Sequence, residues 1–437
     1  MKNSESAAAP IPNPQVDILT FDAQLSTLKS DFITLWQNTS GEFPRSGRMY
    51  SEEEQRATEA RVEKAILDEK DIESDSEEAM LQLQRMKSSV RCLVVQSIDS
   101  VYRDETDAML REFSDAGDEF VRQARAFDPD LTVEDIFQAL RNLWIINSMQ
   151  FRFGVPVRVT PSGLAYSLLY PYSDNYLDDP LISEPEKKEF NRRFRLRLSG
   201  LGNRTQSRLE SRIWDLVEMI ESEFPRSVYP DVYESLLAIH TGQEKSLRQH
   251  SSVTRWVQSD LLDVSVEKGG TSVLADAYLA KGALTLDEAG FSFGYGVFLQ
   301  LIDDLQDVET DLRDGHQTIF TLAASRGVLD TMASRLHRYV DDVLVSCNSS
   351  PLSRPDTLTE LVRRSCRVLI LESIAQSPGL YSESYSRDVE QFSPMRFAYV
   401  RGLHKTMRTK QARFRKIWNN KRVLTFAAAN ARSSAGP

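Results

Sequence analysis

Helical periodicity runs through almost the whole of this chain, and hardly any stretch alternates apolar and polar residues two by two. A chain patterned in this way buries its apolar stripes only by packing helix on helix. The run "SEEEQRATEARVEKAILDEKDIESDSEEAMLQLQRM" lacks Gly and Pro and opens with Ser51 three residues before Glu54, a capping-box signal. "DETDAMLREFSDAGDEFVRQARAF" and "TVEDIFQALRNLWIINSMQFRFG" follow, the second opening at Thr132 with Asp135 three residues on and stopping at Gly154. Apolar helical patterns continue through "RLESRIWDLVEMIESEF", "VYESLLAIHTGQEKSLRQ", "SVLADAYLAKGALT" and "GYGVFLQLIDDLQDVETDL". Only "FGVPVRVTP" hints at extended chain. No repeat and no Pro- or Gly-rich linker follows residue 45. The expectation is an all-α, single-domain helical bundle over 81–422. A disordered lead over 1–45, an acidic N-terminal helix over 46–80 and a disordered tail over 423–437 complete the chain.

Composition narrows the function classes. At 437 residues there is ample length for a sizeable core. No apolar run approaches the roughly 20 residues a membrane span requires. The opening "MKNSESAAAPIPNPQVD" has no apolar segment of the secretory kind. Cys92, Cys347 and Cys366 have no metal-like spacing and suit a reducing cytoplasm as buried filler. The five His residues are scattered, which argues against a His-based zinc site. Net charge is −11, unevenly spread: residues 391–437 hold eleven of the 53 Lys and Arg and no acid, which leaves 42 bases against 64 acids elsewhere. An acidic body excludes a broad nucleic-acid footprint. The basic tail reads as a helix packed on that body, and leaves RNA or peripheral membrane contact open.

The stretch "QLIDDLQDVETDLRDG" poses a specific problem. Phe298, Leu301, Ile302, Leu305, Val308 and Leu312 form one apolar face, while Asp303, Asp307 and Asp311 stack four apart with no basic residue between them. Like charges at that spacing destabilise a helix by roughly 0.2–0.5 kcal/mol per pair. In "LLYPYSDNYLDDPLIS", Asp174 and Asp178 are again four apart, Asp179 follows, and Pro180 predicts the end of the helix. Carboxylates in a last turn face the negative end of the helix dipole. Two such clusters make sense together if they face each other across a bundle and share hard cations. Mg²⁺ takes a few carboxylates, with water and substrate phosphate in its remaining positions. The alternative is that each cluster is a solvated acidic face.

These residues carry a resemblance. "FLQLIDDLQD" resembles the second aspartate-rich motif of trans-polyprenyl diphosphate synthases, Phe-Gln-x-x-Asp-Asp-x-x-Asp, with Leu299 in the Phe position, Gln300 as the Gln, and Asp303, Asp304 and Asp307 as the acids. "DVETDLRDGHQTIF" resembles both that family and the squalene/phytoene synthases, with Asp311, Gly315 and Thr318 in matching places. "IHTGQEKSL" resembles a Gly-Gln-x-x-Asp element in which Ser246 replaces the Asp. "VEKGGTSVLADAYLAKGAL" resembles the segment whose Lys binds the substrate diphosphate, which points to Lys268. The spacing of "DNYLDD" is closer to squalene and phytoene synthases. The resemblance runs from about Asp135 to Arg326, in four short blocks in the order found in the class I isoprenoid synthase superfamily.

The resemblance implies an all-α bundle with both acidic motifs at the mouth of a central cavity. It implies Mg²⁺ held by Asp174, Asp178, Asp179, Asp303, Asp304, Asp307 and Asp311, of which Asp174, Asp178, Asp303 and Asp307 are the catalytic candidates. Lys268 is the leading diphosphate donor, with Arg248, Arg255, Arg313, Gln243 and Gln300 as further candidates. Arg396 and Tyr399 would close the site from the C-terminal side. Cavity-lining candidates are Trp144, Tyr166, Tyr170 and Phe298. The implied substrate is a prenyl diphosphate, and a homodimer is compatible with the resemblance. A terpene synthase needs one diphosphate site. The alternative, a chain-elongating or head-to-head prenyltransferase, needs a second cationic pocket. That pocket's Gly-Lys-x-x-Arg-Pro element is missing, "FPRSGRMY" being a poor substitute, and the basics after Asp179 arrive late, as Lys187, Lys188, Arg192, Arg193 and Arg195. A silent partner subunit and a helical scaffold are the non-enzymatic alternatives.

Overall fold

The computed structural model describes residues 20–45, 47–64, 88–89, 91–98, 100–179, 181–202, 204–250, 256–346 and 355–406, without the side chains of Tyr170, Asp174, Asp178, His250, Pro355 and Asp356. Among these residues all regular structure is helical. The extended piece hinted at by "FGVPVRVTP" is an irregular connection.

The first helix, α1 (Phe21–Asn38), lies inside the stretch expected to be a disordered lead. It buries Phe32 and Trp36, and the Trp36 ring meets Tyr339 edge-on at 5.2 Å. Phe21, Leu25, Leu28, Ile33 and Leu35 pack on the core beside these two aromatic anchors. Helix α2 (Glu52–Val62) starts at the Ser51–Glu54 capping box read from the sequence. Helix α3 (Arg103–Phe127) leads to α4 (Val133–Arg152), where Thr132 and Asp135 exchange the two bonds of a capping box. Helix α4 ends before Gly154, which adopts a left-handed φ of 68°. Helix α5 (Pro161–Asp178) has Pro in its first turn and ends at Asp179, as Pro180 requires.

Helices α6 (Glu184–Leu198), α7 (Arg208–Glu223) and α8 (Pro230–Ser246) follow. A short 3₁₀ turn over Leu247–His250 joins α8 to the segment before α9 (Gln258–Lys281). Helix α10 (Leu286–Gln306) is followed at once by α11 (Val308–Asp314), then α12 (Ile319–Ala324) and α13 (Asp330–Ser346). The last helices are α14 (Pro355–Gln376), α15 (Glu383–Glu390) and a helical stretch over 397–406.

Helices α9 and α10 form the centre. Helix α8 packs on α9, α4 lies against α5 and α9, α5 rests on α7, and α13 and α14 cover α10. The α9–α10 crossing is unusually close. A Cβ added at Gly296 would fall 2.0 Å from the Gly269 carbonyl oxygen, and one at Gly269 would fall 2.5 Å from the Gly296 carbonyl oxygen. Only paired glycines allow two helix backbones to touch in this way. The core around the crossing is aromatic, with Phe293, Phe298 and Phe320 fully buried. Among the described residues no helix is long and apolar enough to cross a membrane. Cys366 is buried as expected, but Cys92 is exposed.

Candidate metal and diphosphate site

The acidic stretch expected as one continuous helix is broken. Helix α10 ends at Gln306, and Asp307 (φ −93°, ψ 1°) caps both it and α11. The ladder nevertheless runs through the break: Asp307 N–H donates to the Asp303 carbonyl at 3.0 Å, and Asp311 N–H to the Asp307 carbonyl at 2.8 Å. Gly315, at φ 74°, then ends α11 in the left-handed conformation. The three carboxylates therefore stay in sequence along one side of the bend. The Asp307 carboxyl is pushed above the usual carboxylate range by burial and by the like charges of Asp303 and Asp311.

What offsets these charges is partly visible. The Arg141 guanidinium of α4 lies 3.8 Å from Asp303, and His316 Nδ1 lies 3.1 Å from Asp311. Among the described residues Asp307 has no ion pair. Sequence reasoning missed both partners. His316 could have been found five residues after Asp311, because it follows the Gly315 turn. Arg141 lies 162 residues before Asp303 and gives no local signal.

Asp304 faces the other way. It is 5% exposed and points to α9, accepting from Ser265 Oγ at 2.7 Å and from Gln300 Nε2 at 2.8 Å. Burial pushes its carboxyl from an ordinary 3.8 to about 6, against the pull of those two donors and of Lys268. Both its oxygens are engaged, so metal ligation by Asp304 requires it to leave these partners. Lys268, half-buried on α9, stands beside Gly269 where that residue meets the Gln300 Cβ. Its neighbour Glu267 is taken by Lys29 and Lys245. Among the described residues Lys268 has no ion pair of its own.

At the other acidic cluster, Asn175 Nδ2 donates to Asp135 Oδ1 at 2.8 Å, which ties the end of α5 to the start of α4. Asp179 is half-buried and accepts from the Leu181 N–H at 2.8 Å. The side chains of Asp174 and Asp178 lie outside the described residues, as does Arg255. Among the described residues no three acidic, His or Cys groups converge tightly enough to enclose a metal ion by themselves. The donor chemistry still fits Mg²⁺: Asp303, Asp307 and Asp311 are oxygen donors in mutual repulsion, and this ion completes its shell with water and phosphate rather than with an all-protein cage.

The remaining candidates divide. Arg248 is exposed on the 3₁₀ turn, and that turn is joined to the segment after α11. Gln249 Nε2 donates to the Gln317 carbonyl at 2.8 Å, and the Gln317 N–H returns to the Gln249 carbonyl at 3.2 Å. Gln243 and Gln300 are half-buried, Gln300 being committed to Asp304, and Arg313 is exposed. Arg396 is not brought to the site. Its guanidinium is paired with the buried Glu59 of α2, and Tyr399 Oη donates to the Glu59 carbonyl at 3.2 Å. Tyr166 and Phe298 belong to the closed core, whereas Trp144 is 48% exposed. Sequence reasoning also missed Asp276, 1% exposed where α4, α5 and α9 meet, which accepts from Asn142 Nδ2 at 3.0 Å. Burial holds its carboxyl well above the usual range.

Compared with protein families and with curated proteins, the chain matches none of them.

Proposed function

We propose that the chain is a Mg²⁺-dependent class I terpene synthase, which ionises an allylic prenyl diphosphate and cyclises or quenches the resulting carbocation. The observation that carries this reading is the bend at Asp307: three successive carboxylates flank it, their repulsion hinders ionisation of the middle one, and the uncommitted Lys268 stands on the adjoining helix. Asp303, Asp307 and Asp311 would hold the ion, and Asp174, Asp178 and Asp179 at the end of α5 are the second candidate set. Bound Mg²⁺ supplies charge neutralisation for a departing diphosphate. Lys268 donates to the diphosphate oxygens, and the Gln300–Asp304–Ser265 chain fixes the end of α10 from behind.

A single diphosphate site is favoured over the two that chain elongation requires. Of the late basic residues of α6, the three arginines are paired within the fold: Arg192 with Glu189 at 2.8 Å, Arg193 with Glu210 at 2.7 Å, and Arg195 with Glu244 at 3.1 Å. The buried Arg193–Glu210 pair would have to be broken for Arg193 to serve a second diphosphate pocket.

The test is incubation with Mg²⁺ and C10 to C25 prenyl diphosphates, with and without isopentenyl diphosphate, read by mass spectrometry. A hydrocarbon or terpene alcohol is expected without isopentenyl diphosphate, and is expected to disappear in Asp303→Asn. Longer diphosphates formed only when it is present would overturn the terpene-synthase reading in favour of prenyl transfer.

A further inference from the structure

One face of α4 has no use in the fold. Phe137, Arg141 and Trp144 are four and three residues apart, so they share a stripe. All three are open: Phe137 is 57% exposed, the Arg141 side chain 76% and Trp144 48%. Two exposed aromatic rings on either side of a cation are costly unless something covers them. The direction of the stripe is fixed by its middle residue, since Arg141 reaches Asp303 across the bundle. Beyond Trp144 the stripe becomes buried: the next residue on this face, Ser148, is buried, bonds the Trp144 carbonyl at 2.8 Å and meets the Tyr295 phenol. The stripe therefore starts in solvent beside the acidic bend and descends between α4 and α10.

We infer that this face of α4 receives the substrate, with Arg141 taking the diphosphate and the Trp144 ring lying against the first isoprene unit of its chain. The inference rests on the metal–diphosphate reading above. Three features support it. Arg141 is held at 3.8 Å, beyond hydrogen-bond range, so it can exchange a carboxylate for a metal-bound diphosphate with little lost. Trp144, one turn further in, presents an apolar face where the carbon chain must begin if its diphosphate is at Arg141. An indole there shields the allylic carbons from water and stabilises positive charge by its ring face. Phe137, on the outer side, covers the diphosphate end.

Both test residues are exposed, so replacing them leaves the core intact. The full chain is titrated calorimetrically, first with inorganic diphosphate plus Mg²⁺ and then with farnesyl thiodiphosphate, an unreactive C15 ligand, plus Mg²⁺. Arg141→Gln is expected to weaken both ligands by roughly tenfold. Trp144→Ala is expected to weaken the C15 ligand by roughly tenfold and to change inorganic diphosphate by less than about twofold. Variants that bind both ligands as the wild type does would make Arg141 a counter-ion only and overturn the inference, with the metal–diphosphate reading intact. A Trp144→Ala variant that loses both ligands equally would make the ring structural and also overturn it. If the wild type binds neither ligand with Mg²⁺, the metal–diphosphate reading itself falls, and the inference falls with it.

Discussion

Asp304 carries the sharpest single-residue consequence. Its carboxyl is raised to about 6 by burial, so the folded state prefers the protonated form. The stabilisation from that proton is complete below about pH 4 and is lost as pH rises through about 6, a swing of about 3 kcal/mol for this group alone. In chelator, urea unfolding of Asp304→Asn compared with the wild type should show the difference: the variant gains relative stability between pH 4 and pH 7.5. Equal pH slopes for the two proteins would show that Asp304 is not held in this state. The sequence marked Asp304 as one acid among several. It could not show that Asp303 faces Arg141 while Asp304 faces Ser265, because the 100° between adjacent residues acquires meaning only when α4 and α9 are in place. Local signals did better: Thr132 with Asp135, Ser51 with Glu54, and Pro180 after Asp179 each act within one turn, and each element boundary lies where those residues put it.

At the scale of elements, the α9–α10 crossing decides whether the site exists. The contact of Gly269 with Gly296 across 27 residues depends on register, which periodicity does not give. Gly296→Ala should force the helices apart and lower unfolding free energy by about 2–4 kcal/mol. Chemical denaturation measures this, and a loss under about 0.5 kcal/mol would mean that the crossing relaxes freely. The same variant should lose Mg²⁺-dependent diphosphate binding while keeping every acidic residue, since Lys268 and Gln300 flank the contact. The break at Asp307 was illegible for a related reason. Helical spacing continues through it, and only the backbone of Asp307 departs from it.

For the whole molecule, α1 is a closing device within the stretch expected as a loose lead, of which residues 1–19 lie outside the described residues. Helix α1 joins α9, α10 and α13 through Trp36 and the Lys29 pairs with Glu267 and Asp263, and α2 holds the C-terminal side. Glu59 binds both the backbone N–H and the guanidinium of Arg396, and Gln55 Nε2 donates to the Glu390 and Ser393 carbonyls, each at 3.0 Å. The basic C-terminal segment was expected to be a helix packed on the acidic body. In its described part Arg396, just before the helical stretch over 397–406, binds Glu59, 337 residues away, a pairing no local pattern announces. Glu59→Ala should release this clasp, so that limited proteolysis read by mass spectrometry gains early cuts within 391–406. An unchanged digestion pattern would show that α2 contributes little to holding that end. The glycine contact between α9 and α10 has one more consequence, mechanical in kind. It is a fulcrum: Asp303 stands seven residues beyond Gly296, a lever of about 10 Å, so tilting α10 by about 5° swings the acidic end by roughly 1 Å while the pivot stays closed. A charge-driven tightening of the carboxylates around an arriving cation can thus proceed by leverage, with the buried Phe298 near the pivot moving less than the acidic end.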